Sequence, residues 1–475
     1  MKESVESNSK QNIVYSLGFI IGQGLKWHPD NFKKISFPCP LYASPNARIG
    51  VAAKHGKAIA VIGELVHPEH IEKAHKEIAE LLLANWGGRQ AEIDKLIGRF
   101  VIISDSKEEG TLLQADAIGL RSLYYCNTPD GTIAGAHAQM VSQAANGGNV
   151  EEQEREYSLG YPGIDTRFVG VYRMPPNNSL SLKTGTLKRF FPIEPIEEST
   201  IEDSWDFAFS EAHKVVESLT RRTPVLVSLT AGLDSRSTLA AARGLWDKLS
   251  FFTYTNGAHP KHRLDSRVAQ DIAAVLKLKH QLIAYKWYKA DPDLMAAVQS
   301  NTFCHHQHIL ACAYYDTFGP QHYVHIRTNL MELARSNLFS HYSKKKGFAL
   351  GPNTPNRMAL FYSIAGNVPF SDSLRDSFLK QYQDADMETA LQFASPWDLF
   401  FIEHRMGAWQ TGVVTESDIA FDTVIAFNSR RIVKKFMGVP QEIRAESNYL
   451  QGKIRELIPE IAEIPINPPT YTRAH

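Results

Sequence analysis

The fold is decided by the stretch Val225-Leu-Val-Ser-Leu-Thr-Ala-Gly-Leu-Asp-Ser-Arg236, which is followed by the Ala-rich segment Ser237-Thr-Leu-Ala-Ala-Ala-Arg243. The first part is apolar and β-branched, the middle consists of small residues, and the end is rich in helix formers. This order predicts a buried strand, a tight turn and the start of a helix. The first turn of a helix presents free N–H groups and about half a positive charge. The stretch therefore predicts a binding site for a nucleotide triphosphate.

Several residues in and around this turn are suited to bind ATP. The candidates are Ser228, Thr230, Ala231, Gly232, Asp234 and Ser235. Three of them carry hydroxyl groups that could donate hydrogen bonds to phosphate oxygens, and the carboxylate of Asp234 could hold Mg²⁺. No Gly-Lys-Ser/Thr ends the turn, so it is not of the Walker type. An ordinary buried strand followed by an amphipathic helix is the alternative interpretation.

The same residues resemble a known signature. Ser228, Gly232, Asp234 and Ser235 match the Ser-x-Ser-Gly-Gly-x-Asp-Ser motif of ATP pyrophosphatases, enzymes that release pyrophosphate while they adenylate a substrate. Thr230 keeps the hydroxyl of the second serine, whereas Ala231 replaces a glycine. If the backbone at that alanine had to be left-handed, the substitution would cost roughly 1–2 kcal/mol, which a domain of this size can absorb.

Composition narrows the class of protein. The chain has 475 residues, enough for two or three domains, and 51 basic side chains balance 51 acidic ones. This balance indicates neither a nucleic-acid partner nor a membrane surface, and no apolar run approaches the ~18 residues of a membrane span. The four cysteines are scattered without a C-x-x-C pair, so buried thiols are expected. We expect a soluble, cytoplasmic protein.

Patterning divides the chain at a Pro-containing acidic segment, residues 193–200. Residues 1–198 read as short strands with one clear helix from near Glu69 to Asn85, which predicts a layered α+β domain. Residues 199–475 alternate strands and helices, which predicts an α/β domain with a parallel, doubly wound sheet and a nucleotide at the carboxyl ends of its strands.

Three segments of the first domain resemble landmarks of the glutaminase domain of asparagine synthetases. They are Leu96–Phe100, Asp116–Tyr125 and Phe168–Pro176. They precede the turn described above in the family's order and at similar spacing, so the chain is similar to the asparagine-synthetase-like family. The resemblance implies an Ntn-hydrolase-like glutaminase fold for residues 1–198 and an ATP pyrophosphatase domain for residues 199–475.

Departures from that family indicate a degenerate first domain. Glutaminases of the family use an N-terminal Cys as nucleophile, and this chain has Lys2 there and no cysteine before Cys39. The family's Asn-Gly-Glu, whose Asn helps to bind the oxyanion, aligns with Ile62-Gly63-Glu64. We therefore expect no hydrolysis of glutamine, as the resemblance to β-lactam synthetases and lasso-peptide cyclases also implies.

The second domain supplies further candidates. Thr253 and Tyr254, at the end of a second buried strand, are expected to flank the adenine. Glu332 matches the family's second ATP motif, where Met331 replaces a metal-binding Asp, so we expect the metal ion at Asp234 and Glu332. The catalytic candidates are Glu332, Arg335, which could grip phosphate, and Lys453, which resembles the family lysine that contacts pyrophosphate. A surface salt bridge and an exposed helix lysine are the alternatives for the last two.

Weaker candidates for the substrate pocket are His306, His308, Glu403 and Asp422. Cys304 and His308 share a helix face and could bind a metal, although a helix that lines the pocket is favoured. The basic segment 343–347 could be a lid over the triphosphate, and a solvated loop is the favoured alternative.

The sequence thus predicts an ATP-dependent amide-forming ligase that works through an acyl-adenylate. It would use ATP and Mg²⁺ with a small-molecule or peptide carboxylate and an amine, and would have no nucleic-acid or membrane partner. An intramolecular amide synthesis like that of lasso-peptide cyclases, a non-catalytic ATP-binding scaffold and assembly as a homodimer are left open.

Overall fold

The structure is a computed structural model that describes residues 13–153, 157, 159–256, 259–285, 288–302, 307–320, 322–342 and 355–470. Two antiparallel sheets come first along the chain. One has the strand order β10-β8-β9-β1-β3-β2 and the other β12-β11-β7-β6-β5-β4. Their strands are β1 (Phe19–Gly22), β2 (Lys33–Ile35), β3 (Leu41–Ala43), β4 (Ile49–Lys54), β5 (Lys57–Val66), β6 (Ile97–Ser106), β7 (Gly110–Ala115), β8 (Tyr124–Thr128), β9 (Gly131–Gly135), β10 (Val171–Arg173), β11 (Asn178–Ser181) and β12 (Leu187–Arg189).

These two sheets pack face to face, because alternate residues of their strands are apolar and point inward. Phe19 and Ile21 of β1 share one buried cluster with Ile62 and Val101 of the other sheet. The helix Ala138–Ala145 covers the outer face of the first sheet. The helices His75–Ala84 and Arg89–Lys95, joined by the short 3₁₀ turn Trp86–Gly88, cover the second. The result is a four-layer α+β arrangement.

A five-stranded parallel sheet follows, with the order β15-β14-β13-β16-β17. Its strands are β13 (Val225–Ser228), β14 (Leu249–Thr255), β15 (His280–Ala284), β16 (Val324–Ile326) and β17 (Asp422–Val424). Val225 and Val227 face one buried cluster and Leu226 faces another, because successive side chains of a strand point to opposite faces. Helices therefore cover both faces, and this α/β arrangement confirms the predicted parallel sheet.

The helices of this half begin with Ile201–Arg222, whose first turn is capped by the Thr200 hydroxyl. The others are Leu233–Ala241, Pro260–Val275, Pro292–Asn301, His308–Phe318, Met331–Ala334, Asn337–Tyr342, Pro355–Gly366, Asp372–Asp384, Met387–Leu391, Pro396–Phe400, the wide-turn π-helix Phe401–Gln410, Thr411–Glu416, Arg430–Met437, Gln441–Glu446 and Tyr449–Leu457, with 3₁₀ turns at Trp246–Lys248, Ser417–Ile419 and Pro459–Ile461. Within the described ranges, no helix combines the length and apolar character needed to cross a membrane.

Buried ion pairs join the antiparallel sheets to the second half of the chain. Arg99 of β6 donates to both oxygens of Asp418, and its contact with Oδ2 is 2.9 Å long. Arg121 donates to Asp422 of β17 at 2.8 and 3.0 Å, and Arg99 also reaches Asp422 at 3.3 Å. All four side chains are almost completely buried. Here we call these four residues the arginine–aspartate cluster.

Removing one carboxylate of this cluster should destabilise the protein strongly. Asp422→Ala leaves Arg121 buried without its main partner, so we expect the free energy of unfolding to fall by about 3–5 kcal/mol. The matched control is Asp206→Ala, which removes a half-exposed carboxylate paired with Lys453 and should cost at most about 1 kcal/mol. Urea unfolding measures both, and equal losses would contradict the role of the cluster.

Candidate functional site

The turn between β13 and the helix Leu233–Ala241 lies at the carboxyl edge of the parallel sheet, where ligands of such sheets bind. A cavity of about 360 Å³ opens there. From the turn it is lined by Ser228, Thr230, Gly232, Leu233, Asp234 and Ser235. Most of the ATP candidates from the sequence therefore share one cavity wall.

Hydrogen bonds inside the turn hold it in a defined shape. The hydroxyl of Ser235 lies 3.0 Å from that of Thr230 and accepts the backbone N–H of Thr230 at 3.2 Å. The N–H of Gly232 donates to the Thr230 hydroxyl at 3.2 Å. Because Thr230 supplies the oxygen to which two neighbours bind, a hydroxyl at that position is a structural requirement of the turn.

Ala231 does not strain the turn. Its φ is not positive, so the left-handed backbone considered from the sequence does not occur and the replacement of glycine costs nothing on that account. Its N–H donates to Asp265 at 3.2 Å, and its carbonyl accepts the N–H of Asn467 at 3.2 Å. The alanine side chain is buried behind the cavity, and only its neighbours line the wall.

Charged side chains face the turn across the cavity. Arg335 donates to Asp234, and each of these side chains is 24% exposed, so the pair borders open space. Burial raises the pKa of Asp234 to about 6; Arg335 opposes this shift, and the nearby Glu332 adds to it. Arg327 also lines the cavity. The site therefore offers two guanidinium groups and two carboxylates beside the start of a helix.

These residues fit Mg²⁺ bound mainly by phosphate oxygens. The two carboxylates that line the cavity are close enough for the charge of Glu332 to disfavour ionisation of Asp234, and a divalent cation would relieve that repulsion. The described part of the chain holds no group of three or more His, Cys, Asp or Glu residues that could bind a metal. One or two carboxylates with substrate phosphates is the usual way in which proteins bind Mg²⁺.

Two of the sequence candidates lie outside the cavity wall. The hydroxyl of Thr253 donates to the carbonyl of Leu229 at 2.6 Å and lies 2.9 Å from His280 Nε2, so it stabilises neighbouring strands, whereas Tyr254 does line the cavity. Lys453 pairs with Asp206 at 2.9 Å on the outer surface of the helices. Lys453 is not among the residues that line the cavity, so its contact with pyrophosphate stays a prediction.

The weaker pocket candidates are also held by other partners. Glu403 is buried against Arg189 at 2.7 Å, and Asp422 belongs to the arginine–aspartate cluster. His308 lies 3.3 Å from the buried Glu416. Each of these three side chains has an internal partner, and none of them is among the residues that line this cavity. His306, Cys304 and the segment 343–347 lie outside the described residues.

Some wall residues were not identified from the sequence. Tyr314 and His325 line the cavity from a helix and a strand that read as core, and Asn467 reaches it from far along the chain. A histidine inside the buried strand Val324–Ile326 was a signal that could have been used. The sequence carried no such signal for Asn467, because its placement depends on a loop in which Asn467 itself has a positive φ of 44°.

A larger cavity of about 570 Å³ lies where residues 190–197 meet the helix Arg430–Met437. Two of its lining cations are already paired, Lys434 with Asp94 at 2.9 Å and Arg431 with Glu69 at 3.0 Å. The smaller cavity is therefore the better candidate, because its polar groups converge on open space.

No protein-family model and no curated protein matches the sequence. Among solved structures, the chain is similar to NH₃-dependent NAD synthetase from Campylobacter jejuni, with 17% identity over 46% of this chain and 96% of that chain and a TM-score of 0.23. It is also similar to NAD⁺ synthetase from Burkholderia pseudomallei, with 13% identity over 42% of this chain and 93% of that chain and a TM-score of 0.19. A third similar structure is glutamine PRPP amidotransferase from B. subtilis, with 11% identity over 52% of this chain and 61% of that chain and a TM-score of 0.21. TM-scores this low establish neither the family nor the activity of this protein.

The raised pKa of Asp234 predicts a pH-dependent stability without nucleotide. An aspartate that ionises near pH 4 when unfolded and at about 6 when folded favours the folded state only while it is protonated. The contribution of Asp234 should therefore be lost as pH rises from about 4 to about 6, by about 1–3 kcal/mol. Asp234→Asn should lack this dependence. Urea unfolding of both proteins at several pH values tests this, and a wild-type-minus-variant difference that stays constant would contradict it.

Proposed function

We propose that the protein is an ATP-dependent ligase that forms an amide bond through an acyl-adenylate and releases AMP and pyrophosphate. The observation that carries this proposal is the cavity at the carboxyl edge of the parallel sheet, where the helix start, Asp234, Glu332 and Arg335 converge. A carboxylate-activating enzyme needs these same groups, since it must hold a triphosphate and stabilise the leaving pyrophosphate.

The triphosphate would bind along the 228–235 turn. The free N–H groups of the first turn of Leu233–Ala241 and the partial positive charge of that helix favour phosphate oxygens. Arg327 and Arg335 supply fixed positive charge from the facing wall. We assign to Arg335 the contact with pyrophosphate that the sequence suggested for Lys453.

Asp234 and Glu332 would hold Mg²⁺ together with the phosphates. When bound, the ion would supply charge that stabilises the leaving pyrophosphate. Asp234 and Arg335, which pair with each other in this structure, would hold the ion and a phosphate oxygen respectively. The pairing seen between these two side chains thus keeps both charges satisfied until the nucleotide arrives.

The reaction has two displacements. A carboxylate oxygen of the substrate bonds to the α-phosphorus while the bond from that phosphorus to the bridging oxygen breaks, so pyrophosphate leaves. The amine nitrogen then bonds to the acyl carbon, the bond from that carbon to the AMP oxygen breaks, and the amine loses a proton. Positioning and fixed positive charge are the main contributions of the protein to such steps.

The first half of the chain is proposed to be a glutaminase-like domain that has lost its activity, in the manner of β-lactam synthetases. Glu64, in the altered Asn-Gly-Glu position, is buried and paired with Arg48 and Arg222. The hydroxyl of Ser16, which precedes β1, donates to the carbonyl of Ile13 at 2.7 Å. Burial raises the pKa of Cys39 to about 11 and keeps it a thiol. The amine would therefore come from solution or from the substrate itself.

Pyrophosphate exchange tests the ligase. With ATP, Mg²⁺ and a panel of carboxylates, the wild type should exchange labelled pyrophosphate into ATP. Asp234→Ala and Arg335→Gln should each lower the rate at least about 100-fold, because each removes a charge that acts on the phosphates. The matched control is Arg243→Gln, which removes an exposed arginine paired with Glu460 and should leave exchange unchanged.

The opposite result favours the scaffold interpretation. If no carboxylate supports exchange and the wild-type melting temperature does not change with ATP and Mg²⁺, the cavity does not bind nucleotide, because any ligand of the folded state raises that temperature. If the temperature rises without exchange, nucleotide binding stands and the ligase is contradicted.

Glutamine should not be a nitrogen donor. We expect the purified protein to release no glutamate from glutamine above the rate without protein, because no cysteine precedes Cys39 to serve as the nucleophile. A glutamate assay in the presence and absence of ATP measures this, and release above the rate without protein would overturn the assignment of an inactive domain.

A further inference from the structure

The cavity lining includes aromatic side chains that phosphate binding does not explain. Tyr254 of β14, Tyr314 of the helix His308–Phe318 and His325 of β16 line the cavity. The rings of the two tyrosines are 6.5 Å apart and nearly perpendicular. Aromatic walls with few polar groups are typical of sites for flat, neutral ring systems. These three side chains are therefore suited to a different part of the ligand from the charged groups around Asp234.

His325 is held in one orientation within this aromatic lining. It is 3% exposed and lies between Phe252 and Phe421, with ring centroids 5.2 and 4.9 Å away. Its Nδ1 lies 3.1 Å from the hydroxyl of Thr423 on β17. Its Nε2 is buried and has no hydrogen-bond partner in the described ranges, and the residue is part of the cavity lining. Buried polar atoms normally have a partner, so a ligand that enters the cavity is the natural one.

The imidazole is neutral under ordinary conditions. Burial and the positive charge of Arg327 hold the pKa of His325 well below its usual range. A neutral imidazole offers one N–H donor or one acceptor at Nε2, and the contact that Nδ1 makes with Thr423 decides which. Such a group suits the neutral edge of a ring better than a phosphate, for which the turn and Arg335 are the stronger partners.

We propose that His325 recognises the base of the nucleotide through Nε2 and thereby selects adenine over guanine. This inference rests on the proposed function in that it places a nucleotide in the cavity. Adenine and guanine present donors and acceptors in different orders along their edges, so one fixed hydrogen-bonding group that matches one base opposes the other. A binding site that hydrogen-bonds one pattern rejects the other because a buried polar group is left unpaired.

Titration calorimetry with ATP, GTP and tripolyphosphate, each with Mg²⁺, tests this role. His325→Phe keeps an aromatic ring between Phe252 and Phe421 but removes Nε2. We expect it to weaken ATP binding about tenfold or more, to abolish the preference over GTP and to leave tripolyphosphate unchanged within twofold. Thr423→Val should shift the preference in the same direction, because it releases Nδ1. His280→Phe, in a partly buried histidine of β15 outside the wall, is the control and should change none of the three affinities.

Several outcomes overturn the assignment. The first is a ratio of ATP affinity to GTP affinity that is unchanged in both His325→Phe and Thr423→Val. The second is a loss of tripolyphosphate affinity in His325→Phe equal to its loss of ATP affinity. The third is a wild type that binds ATP and GTP equally well. Thr423→Val decides the matter if His325→Phe does not fold. Pyrophosphate exchange on the same proteins separates the two proposals. Base-selective binding without exchange contradicts the ligase alone, and exchange that uses ATP and GTP equally contradicts the role of His325 alone.

Discussion

The arginine–aspartate cluster is the interaction on which the rest of the structure depends. Two guanidinium groups from the antiparallel sheets and two carboxylates from the second half of the chain are buried together, and none of them could be buried alone. Asp422 is the first residue of β17, which pairs with β16. Because β16 carries His325 and leads to Arg327, the cluster fixes the strands that form one wall of the cavity.

The cavity itself is organised before any ligand binds. Thr230 and Ser235 satisfy each other, Asp234 is neutralised by Arg335, and Asp265 holds the N–H of Ala231. Few groups must therefore be reoriented for a triphosphate to bind, which lowers the cost in conformational entropy. Among the lining residues, His325 Nε2 and Asn329 Oδ1 are buried side-chain atoms that lack a partner within the described structure. Preformed charged groups and a polar atom awaiting a partner are what a site needs to bind phosphates firmly and still discriminate among bases.

The sequence was sufficient to predict the parallel sheet and the turn, because strand and helix signals there are local and strong. The sequence was not sufficient to predict the partners of charged residues that lie within apolar segments. Glu403 and Asp422 were taken as pocket candidates, and the structure buries both against arginines from the first half of the chain. A buried charge signals that some partner exists, but not whether the partner is a ligand or a side chain more than 200 positions away. Lys453 was assigned by resemblance, and its ion pair with Asp206 depends on helix packing that no local pattern reports.

Asn467 closes the turn by donating its N–H to the carbonyl of Ala231 at 3.2 Å, and Arg236 binds the carbonyls of Ile464 and Pro465 nearby. These partners are separated by more than 220 residues. At ribosomal rates of about 5–20 residues per second, the chain that completes the turn is made roughly 10 to 50 seconds after the turn itself. During translation the turn must therefore wait for these partners, so a nascent chain acquires its nucleotide site late, well after the strand that leads into it has been synthesised.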